Sequence, residues 1–103
     1  MKILVADDDK ISRRVLERLL MDWGHEITMV EDGEQAWELY DKEHYPVVIS
    51  DWIMPEMDGL ELVRRIRARE GYDYTFAILL SAKSAKEELV EGLEAGADDY
   101  MVK

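Results

Sequence analysis

Apolar positions along this chain fall into short continuous runs that are separated by longer runs with helical spacing. The continuous runs predict buried strands at residues 2–6, 26–30, 47–50, 76–80 and 100–102. Between them, apolar residues recur three or four positions apart, as at Ile11, Val15 and Leu19, which predicts an amphipathic helix in each gap. Strands and helices therefore alternate, and a fifth strand closes the series.

Several helix ends carry their own signals. Asp32, followed three residues later by Gln35, predicts a capping pair at the start of the second helix. Ser84 and Glu87 have the same spacing and predict a capping box ahead of the fourth helix, which Gly96 would end.

This alternation predicts an α/β fold, a doubly wound parallel sheet of five strands, because parallel neighbours need helical crossovers. Both faces of such a sheet must be covered, and the chain ends at Lys103 before a last helix. Burying four or five more apolar side chains is worth about 6–15 kcal/mol, as much as a whole domain's typical stability. We therefore expect a truncated form of a longer domain, or a partner chain or exchanged segment over the bare face.

Composition and charge narrow the class of protein. The 103 residues suit one domain, 48% of them are hydrophobic and cysteine is absent, which fits a reducing compartment. No apolar run approaches the roughly 20 residues that cross a bilayer, so we expect a cytoplasmic protein that does not enter a membrane. The net charge of −11 opposes direct binding to nucleic acid, whose phosphates attract Lys and Arg.

Residues suited to phosphoryl chemistry follow four of the predicted strands. They are Asp7 and Asp8 after the first strand, Asp51 after the third, Ser81 after the fourth and Lys103 after the fifth. Ligands bind at this edge of open parallel sheets. Three carboxylates favour Mg²⁺, which together with Lys103 would offset a phosphoryl charge of about −1.5 to −2. Asp51 could then attack phosphorus as a nucleophile, while Ser81 donates a hydrogen bond to a phosphoryl oxygen.

Four stretches resemble the receiver domains of two-component response regulators. They are Leu-Val-Ala-Asp-Asp-Asp at 4–9, Asp-Trp-Ile-Met-Pro-Glu-Met-Asp-Gly at 51–59, Leu-Leu-Ser-Ala at 79–82 and Gly-Ala-Asp-Asp-Tyr-Met-Val-Lys at 96–103. The resemblance extends from one end of the chain to the other. It implies one receiver domain over residues 1–103 with flavodoxin-like strand order 2-1-3-4-5, lacking the family's last helix.

The resemblance also implies a phosphorylation site and a metal site. Asp51 would accept a phosphoryl group from the phosphohistidine of a sensor histidine kinase or a phosphotransfer protein. Asp8, Asp51 and the backbone carbonyl of Ile53 would bind Mg²⁺ directly, Asp7 would bind it through a water, and Mn²⁺ would be an acceptable substitute. The family varies at the position of Ile53, whose apolar side chain either hinders the hydrolytic water or has a structural role.

A switch and its partners follow from the same resemblance. Ser81 and Tyr100 match the family's switch pair, and Lys103 matches the lysine that contacts the phosphoryl group. Phosphorylation would change contacts with a downstream output domain or effector, and the chain would be no enzyme beyond a slow self-dephosphorylation. Because the last helix is absent, we also expect a homo-oligomer or the exchange of a segment between copies.

Other interpretations remain open at this stage. An Asp-x-Asp pair, Asp7 and Asp9, is similar to that of haloacid-dehalogenase-like phosphohydrolases, and a docking module without the chemistry is a third hypothesis. Trp52 is expected either to lie exposed beside the metal or to pack. Four arginines on the third helix predict either a solvated basic face that is paired with local glutamates or a surface that docks an acidic partner; they are Arg64, Arg65, Arg67 and Arg69.

Overall fold

The structure, a computed structural model, describes residues 1–81 and 86–102. Its strands are β1 (Lys2–Ala6), β2 (Glu26–Val30), β3 (Val47–Asp51), β4 (Phe76–Ser81) and β5 (Asp99–Val102). Its helices are α1 (Lys10–Asp22), α2 (Gly33–Lys42), α3 (Gly59–Ala68) and α4 (Lys86–Ala95). The predicted alternation is confirmed. None of these described helices combines the length and the apolar character that a membrane span needs.

Two of the predicted helix ends are confirmed, one by a capping hydrogen bond and the other by the backbone conformation of a glycine. The Asp32 side chain accepts the Gln35 N–H at 2.7 Å and so caps α2. Gly96 follows α4 with φ of 113°, a conformation that suits glycine at a helix C-terminus. The predicted capping box falls outside the described structure, because Ser84 and the Glu87 side chain are not among the described parts of the chain.

All five strands are parallel, in the order β2-β1-β3-β4-β5, which confirms the predicted fold. The register pairs Ala6 with Ser50, Asp51 with Leu80 and Ser81 with Val102. The strands therefore end together, and the residues that follow them lie along one edge of the sheet.

The two faces of the sheet are covered unequally. On one face, side chains such as Leu4 and Val48 pack against α2 and α3 and are almost fully buried. On the other face, Ile49 and Leu80 have only α1 as a helical neighbour among the described elements. A groove of about 300 Å³ is left open there, lined by Ile11, Ser12, Val15, Leu16, Leu80, Met101 and Val102.

The packing of α4 differs from its apolar pattern. Leu89, Val90 and Leu93 have helical spacing, yet each is more than a third exposed. Within residues 89–95, the part of α4 whose side chains are described, the buried position is Gly92. Over residues 89–95, this helix packs on the domain through Gly92 and Ala95 and presents apolar side chains to solvent.

Candidate functional site

Three of the predicted site residues come together at the carboxyl ends of β1 and β3. Carboxylate oxygens of Asp7, Asp8 and Asp51 all lie within 4.8 Å of one another. Asp7 is fully buried, Asp51 is 8% exposed and Asp8 is exposed. The cluster thus has a buried floor and an open side from which a ligand can approach.

The loop after β1 holds the first two carboxylates through its backbone. The Asp7 N–H continues the sheet by donating to the Val30 carbonyl at 3.1 Å, and the Asp9 N–H donates to Asp7 Oδ1 at 2.9 Å. Arg13 Nη1 reaches back from α1 to the Asp7 carbonyl at 3.2 Å. Sequence reasoning missed Arg13, although a basic residue in the first turn of a helix opposes the helix dipole and so signals a tertiary contact.

The loop after β3 is tied closely to the start of α3. The Gly59 N–H donates to the Trp52 carbonyl at 2.8 Å, and the Ser50 hydroxyl donates to the Asp51 carbonyl at 2.9 Å. A Cβ at position 59 would overlap the Asp51 carbonyl oxygen, so only glycine allows this approach. Asp58 caps α3 by accepting the Glu61 N–H at 2.9 Å. The backbone of Asp51 is therefore fixed from both sides.

The other predicted residues are placed differently. Ser81, at the end of β4, is buried and lies one residue beyond the register partner of Asp51. Tyr100, on β5, is half-buried, and its ring packs against that of the residue after Asp51. The side chain of Ile53 is 68% exposed, which contradicts a structural role for it in packing. Lys103 lies outside the described residues.

The donor set fits a hard divalent cation. Mg²⁺ prefers carboxylate oxygens, retains several waters and places cis and trans ligands no more than about 4.2 Å apart. Oxygens within 4.8 Å of one another need only small movements, or one bridging water, to meet that geometry. Three carboxylates at this separation repel one another, and a cation relieves the repulsion.

Asp9 has a different role from Asp7 and Asp8. Its carboxylate caps α1, accepting the Ile11 N–H at 3.0 Å and the Ser12 hydroxyl at 3.0 Å. Within the described chain, the acidic cluster consists of Asp7, Asp8 and Asp51. The geometry therefore does not support a phosphohydrolase that would use an Asp7 and Asp9 pair.

A second charged group lies at the opposite edge of the sheet, where β4 and β5 begin. Arg67 Nη2 pairs with Asp98 Oδ2 at 2.7 Å, Nη1 donates to the Thr75 carbonyl at 2.7 Å, and Nε donates to the Gly96 carbonyl at 2.8 Å. The prediction that this arginine belongs to a solvated face paired with local glutamates is wrong. Its partners lie up to 31 residues away and are brought close by the sheet.

The environment of Asp98 in this group favours the charged form of its carboxylate. Burial raises the pKa of Asp98, but the Tyr74 hydroxyl, the Ala77 N–H and the Arg67 guanidinium together lower it below its usual 3.8. The same hydrogen bond to Asp98 raises the pKa of the Tyr74 hydroxyl. We call Arg67, Tyr74 and Asp98 the clamp.

Comparison with known proteins gives a consistent result. The family model for the response regulator receiver domain matches residues 3–103. A chemotaxis protein CheY homolog of Campylobacter jejuni is 41% identical over 105 residues, which cover 100% of this chain and 81% of the relative. Chemotaxis protein CheY1 of Helicobacter pylori strain J99 is 38% identical, with 100% and 85% covered.

Solved structures match equally well. Chemotaxis response regulator CheY4 of Vibrio cholerae superposes with a TM-score of 0.92 at 33% identity, covering 99% of this chain and 85% of that one. The receiver domain of a sensor histidine kinase from Pseudomonas aeruginosa superposes with a TM-score of 0.89 at 31% identity, covering 99% and 84%. That neighbour was solved with a magnesium ion coordinated in its active site cleft.

Proposed function

Because this chain belongs to the response regulator receiver domain family, we propose that it is a phosphorylation-dependent switch whose phosphoryl acceptor is Asp51. Phosphoryl-transfer signalling is the general function of this family, and its members bind Mg²⁺ at an acidic pocket. The observation that carries the proposal is the convergence of Asp7, Asp8 and Asp51 within 4.8 Å at the carboxyl ends of two adjacent strands.

The metal assignment is the one that the family resemblance implies, and the clustering of three carboxylates supports it. Asp8, Asp51 and the carbonyl of Ile53 would hold Mg²⁺ directly, and the buried Asp7 would hold it through a water. When bound, the cation offsets the carboxylate charge and stabilises negative charge on the phosphoryl oxygens. Mn²⁺ also prefers octahedral oxygen ligands and substitutes for it.

The transfer step is a displacement at phosphorus. An Asp51 carboxylate oxygen attacks the phosphohistidine of a sensor histidine kinase or a phosphotransfer protein, forming a phosphorus–oxygen bond. The phosphorus–nitrogen bond breaks, and its electron pair returns to the imidazole ring. The Ser81 hydroxyl donates to a phosphoryl oxygen, and Lys103 supplies a positive charge. Slow attack of water on phosphorus later releases phosphate and restores Asp51, so the domain turns itself off without acting on a separate substrate.

The switch uses the two strands next to Asp51. Ser81 ends β4 and Tyr100 lies on the adjacent β5, so movement of the hydroxyl toward the phosphoryl group leaves space for the aromatic ring to turn inward. α4 packs against β5, and its exposed apolar side chains form the surface that an output domain or effector reads. The acidic surface gives no reason to expect direct binding to nucleic acid.

The groove between α1 and β5 supports self-association or exchange of a segment between copies. Ile11 is 75% exposed and Met101 is 50% exposed on either side of it, and two copies that cover this surface would each gain apolar burial. Light scattering of wild type and Val15→Glu tests this part of the proposal, because a charge in the groove should shift an oligomer to monomer. A wild type that stays monomeric at high concentration would contradict it.

Phosphoryl uptake from acetyl phosphate, followed by intact mass, tests the acceptor assignment. Wild type should gain one phosphoryl group when Mg²⁺ is present and none when it is chelated. Asp51→Asn should gain none under either condition, whereas Asp58→Asn, which changes a capping carboxylate in the same loop, should behave as wild type. Equal uptake by wild type and Asp51→Asn would overturn the proposal.

A further inference from the structure

Trp52 is held by the same backbone that positions Asp51. Its N–H donates to the Leu80 carbonyl at 2.8 Å, and its carbonyl accepts the Gly59 N–H at 2.8 Å. The residue is therefore tied to β4 and to the start of α3. A shift of the peptide plane that joins Asp51 to Trp52 moves the Cα atom that carries the indole, because that plane is rigid.

The indole contacts β5. The rings of Trp52 and Tyr100 lie 5.8 Å apart between centroids, with an interplanar angle of 83°. This is an edge-to-face arrangement, which depends on the relative orientation of the two rings. Rotation of either ring would therefore disturb the other.

The indole also contacts α4, at its buried glycine. A Cβ at position 92 would lie 3.3 Å from Trp52 Cζ3 and 3.2 Å from Leu79 Cδ1, closer than side chains ordinarily pack. Gly92 thus lets the helix backbone approach the indole directly. With Leu89, Val90 and Leu93 exposed, this approach is a principal contact between the described part of α4 and the body of the domain.

We propose that Trp52 is a positioning residue that links the phosphorylation state of Asp51 to the position of α4 as well as to Tyr100. The link to the helix is the contact between the indole and Gly92. The inference rests on the proposed phosphorylation of Asp51. On phosphorylation, the indole and the Tyr100 ring change their packing together, and α4 shifts at its contact with the indole beside Gly92. Packed contacts of this kind have discrete arrangements, so a small movement at the acceptor becomes a change of helix position.

Hydrogen exchange of the amides of residues 89–95, with and without acetyl phosphate and Mg²⁺, tests this proposal. Phosphoryl occupancy is measured by intact mass in the same samples. In wild type, phosphorylation should change the exchange rates by at least about fivefold, the lower end of typical coupling between sites. In Trp52→Leu, occupancy should be retained while the ratio between the two states falls toward one. The control Trp23→Leu removes an exposed indole and should keep the wild-type ratio.

Gly92→Ala is an independent variant. It should not weaken α4 itself, because alanine has a higher helix propensity than glycine. Its methyl group would crowd the indole and should alter their contact, so the exchange ratio should also fall, whereas Leu93→Ala on the exposed side of α4 should leave it unchanged. A merely structural role for Trp52 would alter exchange equally in both states and keep the ratio, and that result would overturn the inference. Phosphorylated wild type without any change in α4 would also overturn it while leaving Asp51 as acceptor. Wild type that takes up no phosphoryl group would instead contradict the proposed function.

Discussion

Charged side chains are arranged in opposite ways at the two ends of the sheet. At the carboxyl ends, Asp7, Asp8 and Asp51 gather like charges within 4.8 Å of one another. At the amino ends of β4 and β5, the clamp pairs Arg67 with Asp98 at 2.7 Å, and it also donates a hydrogen bond to the Thr75 carbonyl and accepts one from the Ala77 N–H. One end gathers charges of the same sign, and the other pairs charges of opposite sign.

The comparison separates charges that serve binding from charges that serve folding. Two like charges about 4 Å apart repel by about 1 kcal/mol in water and by about 4 kcal/mol in a less polar setting. A fold tolerates that cost where a ligand of opposite charge offsets it. A carboxylate whose pKa is lowered by its own protein, as for Asp98, already favours its charged form and needs no external cation.

Removing the arginine of the clamp should have the largest effect on stability. Arg67→Met keeps part of the side-chain stem but removes the cation beside Asp98 and the donor to two backbone carbonyls. We expect a loss of about 2–4 kcal/mol in the free energy of unfolding in urea, somewhat below the cost for a fully buried pair. The control Arg64→Met, on the exposed side of α3, should cost less than about 0.5 kcal/mol. A similar loss in both variants would show that the clamp has no special role.

A side chain at position 59 tests how firmly the acceptor end is held. In Gly59→Ala, the new methyl group would overlap the Asp51 carbonyl oxygen, so the backbone after β3 must shift. We expect a loss of about 1–3 kcal/mol in unfolding free energy, as for other overpacked sites, together with slower phosphoryl uptake. Unchanged uptake would mean that the position of Asp51 does not depend on this close approach.

The pH dependence of stability should reveal the clamp carboxylate. Because the folded pKa of Asp98 lies below its unfolded value, its contribution is present above about pH 3.8 and is lost as the pH falls through the folded pKa. Asp98→Asn should therefore be less stable than wild type at pH 7, by about 1–2 kcal/mol, and the difference should shrink in acid. Urea unfolding at a series of pH values measures it. A constant difference down to low pH would contradict the assignment.

Ile53 should show the smallest effect on stability, because its side chain is mostly exposed. Ile53→Ala should change the unfolding free energy by less than about 0.5 kcal/mol. If the apolar side chain hinders the hydrolytic water, the same variant should lose its phosphoryl group faster. Intact mass after removal of the phosphoryl donor gives the lifetime. A lifetime equal to that of wild type would remove Ile53 from the mechanism.

The acidic end could be predicted from the sequence because its members obey a local rule. Each follows an apolar run, and parallel strands that end in register bring such residues to one edge. The clamp could not be predicted from the sequence, because Arg67 and Asp98 are 31 residues apart in the chain. Acidic residues closer to Arg67 in the sequence, on or near its own helix, were the more obvious partners. Strand and helix boundaries were also predictable from local signals such as Asp32.

The roles of the glycines and the packing of α4 were harder to predict from the sequence. Gly59 and Gly92 matter because of what their missing side chains would meet, and those neighbours come from other elements. The apolar spacing of Leu89, Val90 and Leu93 correctly indicates a helix but not its exposure, because periodicity gives no information on which surface the rest of the domain offers.

Urea unfolding of Asp51→Asn and Asp98→Asn, with and without Mg²⁺, tests the central comparison most directly, since the two variants make the same chemical change at opposite ends of the sheet. Without Mg²⁺, Asp51→Asn should be more stable than wild type by about 1 kcal/mol, whereas Asp98→Asn should be less stable. Mg²⁺ at a hundred times its dissociation constant should stabilise wild type and Asp98→Asn by about 2.7 kcal/mol but should have little effect on Asp51→Asn. If both variants lose stability and respond to Mg²⁺ alike, the acidic end is a structural network like the clamp, and the account is wrong.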